Sequence, residues 1–247
     1  MKISLITINR NNAAGLARTC RSILAQEQVG TGFDLEHIVV DGASTDDSLK
    51  QILPGLNSIV LVSEPQGVYN AINNGLRKAS GDVIGLLHSG DELAHPAVLA
   101  EVSDAFGAGD MDYLWGDVRI GKRFYSGDDF NRKTLLGGFA PPHPSLYVSR
   151  NTFEQIGYYD ENLHTAADYD YFVRLHLASN LKGRYLKEII VNMEPGGLSQ
   201  TLKNRLWHNN TERLASLRKN GLPASRLKLM THYKKVIQGF LCSSKKK

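Results

Sequence analysis

Four short apolar runs, at residues 3–8, 35–40, 59–62 and 83–87, alternate with segments whose apolar residues recur at helical spacing. Runs of this length suit β-strands, and an unbroken apolar run suits a strand covered on both faces. Between the first two, Leu16, Cys20, Ile23 and Leu24 fall on one helical face. Residues 68–78 bring Ala71, Ile72, Gly75 and Leu76 together in the same way, and residues 96–106 predict a further helix with Pro96 near its first turn. The cluster Ser44-Thr45-Asp46-Asp47 has the chemistry of a helix start. A β-α-β-α order of this kind calls for a mostly parallel sheet with helices on both faces.

The rhythm changes in the second half. Residues 113–118 predict a strand running into a hairpin near Gly121. Residues 126–145 are rich in Gly, Pro and Asp, carry the stiff element Pro141-Pro142-His143-Pro144, and read as a long functional loop. A return to the sheet is expected over 145–148, a helix over 167–177, a strand over 185–191 and a Gly-rich turn over 194–199. Two or three helices then close the chain.

With 247 residues, 42% hydrophobic and 22% charged, the chain suits one large domain with a small appendage. Cys20 and Cys242 lie too far apart in sequence for a zinc spacing or a disulfide framework, which favours a reducing compartment. The first ten residues are apolar too briefly for a signal peptide, and no stretch has the roughly 18 apolar residues of a membrane span. The expected location is therefore cytoplasmic, including the cytoplasmic face of the inner membrane. The net charge of +4 hides an asymmetry: residues 200–247 hold 12 basic residues against the single acid Glu212, leaving 17 basic and 24 acidic residues elsewhere. A basic tail on an acidic body points to a surface partner for the tail.

Chemistry concentrates where the fourth run ends in Ser89-Gly90-Asp91-Glu92. In open α/β sheets ligands gather at the carboxyl ends of the strands. An acidic pair on a Gly-kinked turn there is placed to hold a divalent cation against a phosphorylated substrate, although a solvated turn has the same composition. Asp41 ends the second strand, where it suits a base or ribose contact or a plain turn cap. Asp168 opens the helix after the long loop, where it suits a general base or an N-cap.

Six segments in order resemble the family 2 inverting glycosyltransferases, which have the GT-A fold. They are Ser4-Leu5-Ile6-Thr7-Ile8-Asn9-Arg10-Asn11, Ile38-Val39-Val40-Asp41-Gly42-Ala43-Ser44-Thr45-Asp46, Gly67-Val68-Tyr69-Asn70-Ala71-Ile72-Asn73-Asn74-Gly75, the 80–93 segment, Ala166-Ala167-Asp168-Tyr169 and Gly196-Gly197-Leu198-Ser199. The resemblance covers about residues 1–200, with 1–95 as the nucleotide-sugar half and 96–200 as the acceptor half. Residues 201–247 then form a basic helical extension. Within the family the likeness is to enzymes of colanic acid and O-antigen assembly, and so of lipopolysaccharide or exopolysaccharide synthesis.

The resemblance implies that Thr7 and Asn9 line the nucleotide pocket, Asp41 contacts the uracil or ribose, and Tyr69 lies beside the nucleotide. It implies Asp91 as ligand to Mn²⁺ or Mg²⁺, with Glu92 as a helper, and Asp168 as the catalytic base. The implied partners are a nucleotide-sugar donor, UDP-hexose by default, and a polyprenyl-pyrophosphate-linked or other glycan acceptor. Three positions depart from the family pattern: Gly42 follows Asp41, Gly90 replaces the first acid of the usual pair, and Asn70 stands for Asp. His143 and Asp117 are candidates for the acceptor side, each with an ordinary packing role as the alternative. Gly196 and Gly197 suit a lid over the diphosphate or a simple turn.

In the tail, Leu229, Met230, Tyr233, Val236, Ile237, Phe240 and Leu241 share a helical face with lysines around it. Such a helix over 226–247 lies on an anionic membrane or packs on the body or a second subunit in a homodimer. No nucleic acid is expected, because aromatic residues are not interleaved with the charges as stacking platforms. A sugar nucleotidyltransferase would need a Gly-rich loop where Asn9-Arg10-Asn11-Asn12 stands, and a dinucleotide oxidoreductase would need G-x-G-x-x-G. A non-catalytic sugar-nucleotide binder or membrane scaffold would not depend on Asp168.

Overall fold

The computed structural model describes residues 1–109, 111–128, 130–195 and 209–225. The first half follows the expected alternation: β1 (Lys2–Asn9), α1 (Ala13–Leu24), β2 (Asp34–Asp41), β3 (Ile59–Val62), α2 (Val68–Lys78), β4 (Val83–Leu86), a two-residue β5 (Glu92–Leu93) and α3 (Val98–Gly107). The second half contains β6 (Tyr113–Ile120), β7 (Arg123–Tyr125), α4 (Arg132–Leu136), β8 (Leu146–Ser149), α5 (Arg150–Ile156), α6 (Ala167–Leu177), β9 (Gly183–Met193) and α7 (Asn209–Lys219).

One sheet runs in the order β3-β2-β1-β4-β8-β6-β9-β5, with β7 paired to β6. Its β3-β2-β1-β4 block is parallel throughout. Beyond β4 it is mixed, because β8 pairs antiparallel with both β4 and β6, while β6 and β9 are parallel. The expectation of a mostly parallel sheet thus holds for the β3-β2-β1-β4 block, while the rest of the sheet is mixed. The cause is the route of the chain: it enters β8 from the Pro141–Pro144 segment, at the end where β4 finishes, and must run back down. The fit is close at Gly85, where a Cβ would lie 2.5 Å from the Tyr147 ring.

Each face of the sheet is sealed by helices. Ile6, Ile38 and Val40 meet Ile72 and Leu76 of α2, and Leu16 and Cys20 of α1 cover Val39. Ile3, Leu5 and Val83 meet Val98, Leu99 and Val102 of α3. All are nearly or fully buried, and burying such side chains contributes about 1.5–3 kcal/mol each. At the lower edge Glu36 accepts bonds from Lys2 Nζ, Ser4 Oγ, and the Ser80 N–H and hydroxyl, tying β1, β2 and the turn into β4 together.

Several local expectations change. No α-helix starts at Ser44–Asp47; a 3₁₀ turn occupies Ser48–Gln51. The capping chemistry serves another helix, because Asp46 Oδ2 accepts from the N–H of Ala13, the first residue of α1. The 126–145 loop holds α4, capped by Asn131, and a 3₁₀ turn over His143–Ser145.

Helix α7 is stitched to the body by polar contacts. Ser216 Oγ and Asn220 Nδ2 donate to fully buried Asp170, which also pairs with Arg174. Glu212 accepts from the N–H groups of His164 and Thr165. The boundary at residue 200, the Gly196-Gly197 turn, Cys242 and the amphipathic segment over 226–247 lie outside the described residues.

Candidate active site

At the carboxyl ends of β1 and β2 two loops are laced together. Asn9 Nδ2 donates to Asp41 Oδ2 (2.7 Å). Ser44 donates to the same carboxylate twice, through its N–H (2.7 Å) and its hydroxyl (2.8 Å). Asn11 Oδ1 accepts from the Thr45 N–H (2.8 Å). The backbone is strained here: Asn11 (φ 46) and Ala43 (φ 51) are left-handed without being glycine, a conformation costing about 1–2 kcal/mol per residue. Such strain gathers at functional sites. Asn9 Oδ1 is buried with no hydrogen-bond partner among the described residues, an acceptor left over beside the pocket.

These placements bear on two of the expected pocket residues. Asp41 is fully buried and its oxygens accept from buried Asn9 and from Ser44, so it shapes the corner from beneath. Thr7 shares a strand face with Asn9 but lies two residues deeper. It is fully buried, and its hydroxyl meets the ring of His37 (3.0 Å), so it lines no open pocket. Burial lowers the His37 pKa to about 4 and keeps that ring neutral.

The turn after β4 carries Asp91. Gly90 has φ 101, and a Cβ there would meet Glu194 Oε2 at 2.2 Å. The acid missing at position 90 is thus replaced in space by the Glu194 carboxylate, which Arg18 holds (2.5 Å). Arg18 also pairs with Glu92 (3.7 Å), which draws Glu92 away from Asp91. Asp91 is 7% exposed and accepts the Glu194 N–H (3.1 Å). Burial pushes its pKa up to about 6, against the pull of that N–H and of His143. A buried carboxylate held this way is a charge awaiting compensation.

Asp168 stands across the cleft in the first turn of α6. It is not the N-cap, which is Ala166. Its Oδ1 accepts from the Tyr169 N–H (2.7 Å) and faces the Tyr69 hydroxyl at 3.5 Å, while Oδ2 faces His143 Nδ1 at 3.6 Å. Its side chain is 31% exposed. Burial raises its pKa, but His143, Arg213 and the Tyr169 N–H outweigh burial and leave it below the ordinary value. Arg213 of α7 lies over the Tyr169 ring (5.4 Å), and its Nε is buried without a hydrogen-bond partner among the described residues. His143 faces Asp168 and acts electrostatically on Asp91 as well. Tyr69 joins them, stacked on Tyr159 at 5.9 Å.

Asp117 does not join them. It is 4% exposed, and its oxygens accept from the Gly127 N–H (2.8 Å) and the Tyr185 hydroxyl (2.9 and 3.0 Å). With Trp115 Nε1 bonded to the Gly127 carbonyl, it anchors the long loop to β6 rather than facing an acceptor. Asn70 has its own reason: it donates to Glu161 (2.8 Å), where an aspartate would set two carboxylates against each other.

Sequence reasoning missed Ser44, His88, Glu194 and Arg213. His88 follows the fourth apolar run directly, so its place at a strand end was a usable signal. Ser44, three residues after Asp41, had the spacing of an Asx turn. Glu194 and Arg213 arrive from distant elements with no local pattern.

Among the described residues no three His, Cys, Asp or Glu side chains converge as a metal cage, and no helix is long and apolar enough to cross a membrane. A single buried carboxylate suits a cation that shares its coordination with substrate phosphates, as Mg²⁺ commonly does.

Comparison with known proteins agrees with this layout. The profile of Glycosyl transferase family 2 matches residues 4–168. An uncharacterized glycosyltransferase of Mycobacterium tuberculosis is 37% identical over 185 residues, covering 71% of this chain and 69% of its own. Among solved structures, S. aureus TarS 1-349 in complex with UDP-GlcNAc aligns with a TM-score of 0.71 at 17% identity, over 88% of this chain and 66% of that one. The mannosyltransferase PcManGT from Pyrobaculum calidifontis, in complex with GDP-Man and Mn²⁺, aligns with a TM-score of 0.67 at 17% identity, over 88% of this chain and 65% of its own. At these identities the structural likeness concerns the fold, which is GT-A.

Proposed function

The chain belongs to glycosyltransferase family 2, and from that premise we propose that it moves a hexose from a nucleotide sugar, by default a UDP-hexose, to a hydroxyl of a lipid-linked glycan by one inverting displacement. The observation that carries this reading is the Asp168 carboxylate, ionised at neutral pH and a third exposed beside His143. The acceptor oxygen attacks the anomeric carbon opposite the diphosphate. The bond to the nucleotide breaks with its electron pair passing to the diphosphate, and Asp168 takes the acceptor's proton. A carboxylate suffices because the hydroxyl becomes acidic as its oxygen bonds to carbon.

The donor's base and ribose fall to the Asn9–Ser44 corner, where Asn9 Oδ1 is unpaired and Asp41 holds both side chains. Tyr69 extends its hydroxyl toward Asp168 and flanks the sugar. Asp91 is the residue placed to hold a divalent cation, Mn²⁺ or Mg²⁺. Such a cation, when bound, neutralises charge on the leaving diphosphate. That TarS was solved with UDP-GlcNAc and PcManGT with GDP-Man and Mn²⁺ supports a nucleotide-sugar donor and a divalent ion.

A panel of UDP-, GDP- and dTDP-sugars, scored by thermal shift with and without Mn²⁺, tests the reading. One nucleotide class is expected to raise the melting temperature in a Mn²⁺-dependent manner. A flat response to every nucleotide sugar, with and without metal, would count against donor binding.

A further inference from the structure

His88 follows the run that forms β4, is partly buried, and belongs to none of the roles assigned above. Its Nε2 lies 2.8 Å from Nε2 of His143, with ring centroids 4.9 Å apart and planes tilted by 44°. Its Nδ1 is buried with no hydrogen-bond partner among the described residues. The other ring nitrogen of His143, Nδ1, faces Asp168 Oδ2 at 3.6 Å. Three side chains from β4, the long loop and α6 therefore form a line that ends on the carboxylate.

The hydrogen positions follow from what is paired. An Nε2–Nε2 bond needs one donor and one acceptor. Burial drives the His88 pKa well down, so His88 is neutral and carries one ring hydrogen. Were that hydrogen on Nδ1, a buried N–H would be left with no acceptor, which is rarer in folded proteins than an unfilled acceptor. It therefore lies on Nε2. His143 accepts it there through Nε2, so the hydrogen on its own ring lies on Nδ1, toward Asp168.

We propose that His88 and His143 form a positioning pair, in which His88 fixes the ring and tautomer of His143 so that His143 Nδ1–H orients Asp168 Oδ2. The inference rests on the reading of Asp168 as base and adds two residues to it. Neither histidine needs to touch substrate. Loosening the pair lets the carboxylate turn away from the acceptor oxygen, and misplacement on the scale of an ångström costs about 100-fold.

The test compares steady-state kinetics of His88→Leu, His88→Gln and His143→Leu with the natural chain, using the donor identified above. His88→Leu and His143→Leu are expected to lose about 10- to 100-fold in kcat with the donor KM unmoved. His88→Gln, whose terminal amide can donate from the Nε2 position, is expected to recover turnover. In an Asp168→Asn background, His88→Leu is expected to add no further loss, because the pair acts through Asp168. Should His88→Leu fail to fold, His143→Leu carries the test, since that side chain is 23% exposed. Inactive Asp168→Asn beside fully active histidine variants would overturn the pairing alone. Active Asp168→Asn would overturn the base reading itself.

Discussion

Asp168→Asn is expected to fold and to bind the nucleotide sugar as the natural chain does, while turnover falls by about 10²–10⁴-fold, the usual contribution of a general base. The substitution is nearly isosteric. Its side-chain oxygen can still accept from the Tyr169 N–H and face the Tyr69 hydroxyl. What it removes is the negative charge that His143, Arg213 and that N–H hold ionised against burial. Donor affinity from calorimetry and turnover from nucleotide release separate the two effects. Full turnover would remove Asp168 from the chemistry, and lost donor affinity would make it a binding residue.

The second large effect is a trade between stability and function at Asp91. Its ionisation in the fold is penalised by burial, which raises the pKa from 3.8 to about 6. The sign is that of a raised carboxylate: the penalty is absent below the unfolded value and is fully felt once the pH passes about 6. A shift of that size corresponds to about 3 kcal/mol. Asp91→Asn keeps an acceptor for the Glu194 N–H and has no charge to bury. Without metal it is therefore expected to melt several degrees higher than the natural chain at pH 7.5, and to match it near pH 4. The same variant is expected to lose the Mn²⁺-dependent stabilisation by donor. In the natural chain that stabilisation should fade below about pH 6, as protons compete for the carboxylate. Thermal melts at the two pH values, with and without Mn²⁺ and donor, read all of this. Retained metal dependence in Asp91→Asn, or a stability difference that ignores pH, would contradict it.

The parallel half of the sheet was legible because its strands leave short, largely apolar runs, β4 covered on both faces and β3 on one. Residues 59–62 and 68–78 match β3 and α2 in the structure. The antiparallel turn of the sheet was not legible, since the direction of β8 depends on where the long loop delivers it. Nor was the service of Asp46, whose capping bond goes to the N–H of Ala13, 33 residues earlier in the chain. Candidate residues at strand ends were found by position, but whether each faces outward depends on partners from elsewhere. Asp41 and Thr7 are absorbed by Ser44 and His37, and Asp117 by Tyr185 and Gly127. His88 acquires a role only because Pro141–Pro144 brings His143 above it. Gly90 and Asn70, which depart from the family pattern, have neighbours in Glu194 and Glu161 that account for them.

The most direct measurement is the anomeric configuration of the product. With the donor identified by thermal shift and a polyprenyl-pyrophosphate-linked glycan as acceptor, the anomeric proton of the transferred sugar is observed by NMR. A single displacement with Asp168 as base gives the configuration opposite to that of the donor. A product that retains the donor's configuration would contradict it.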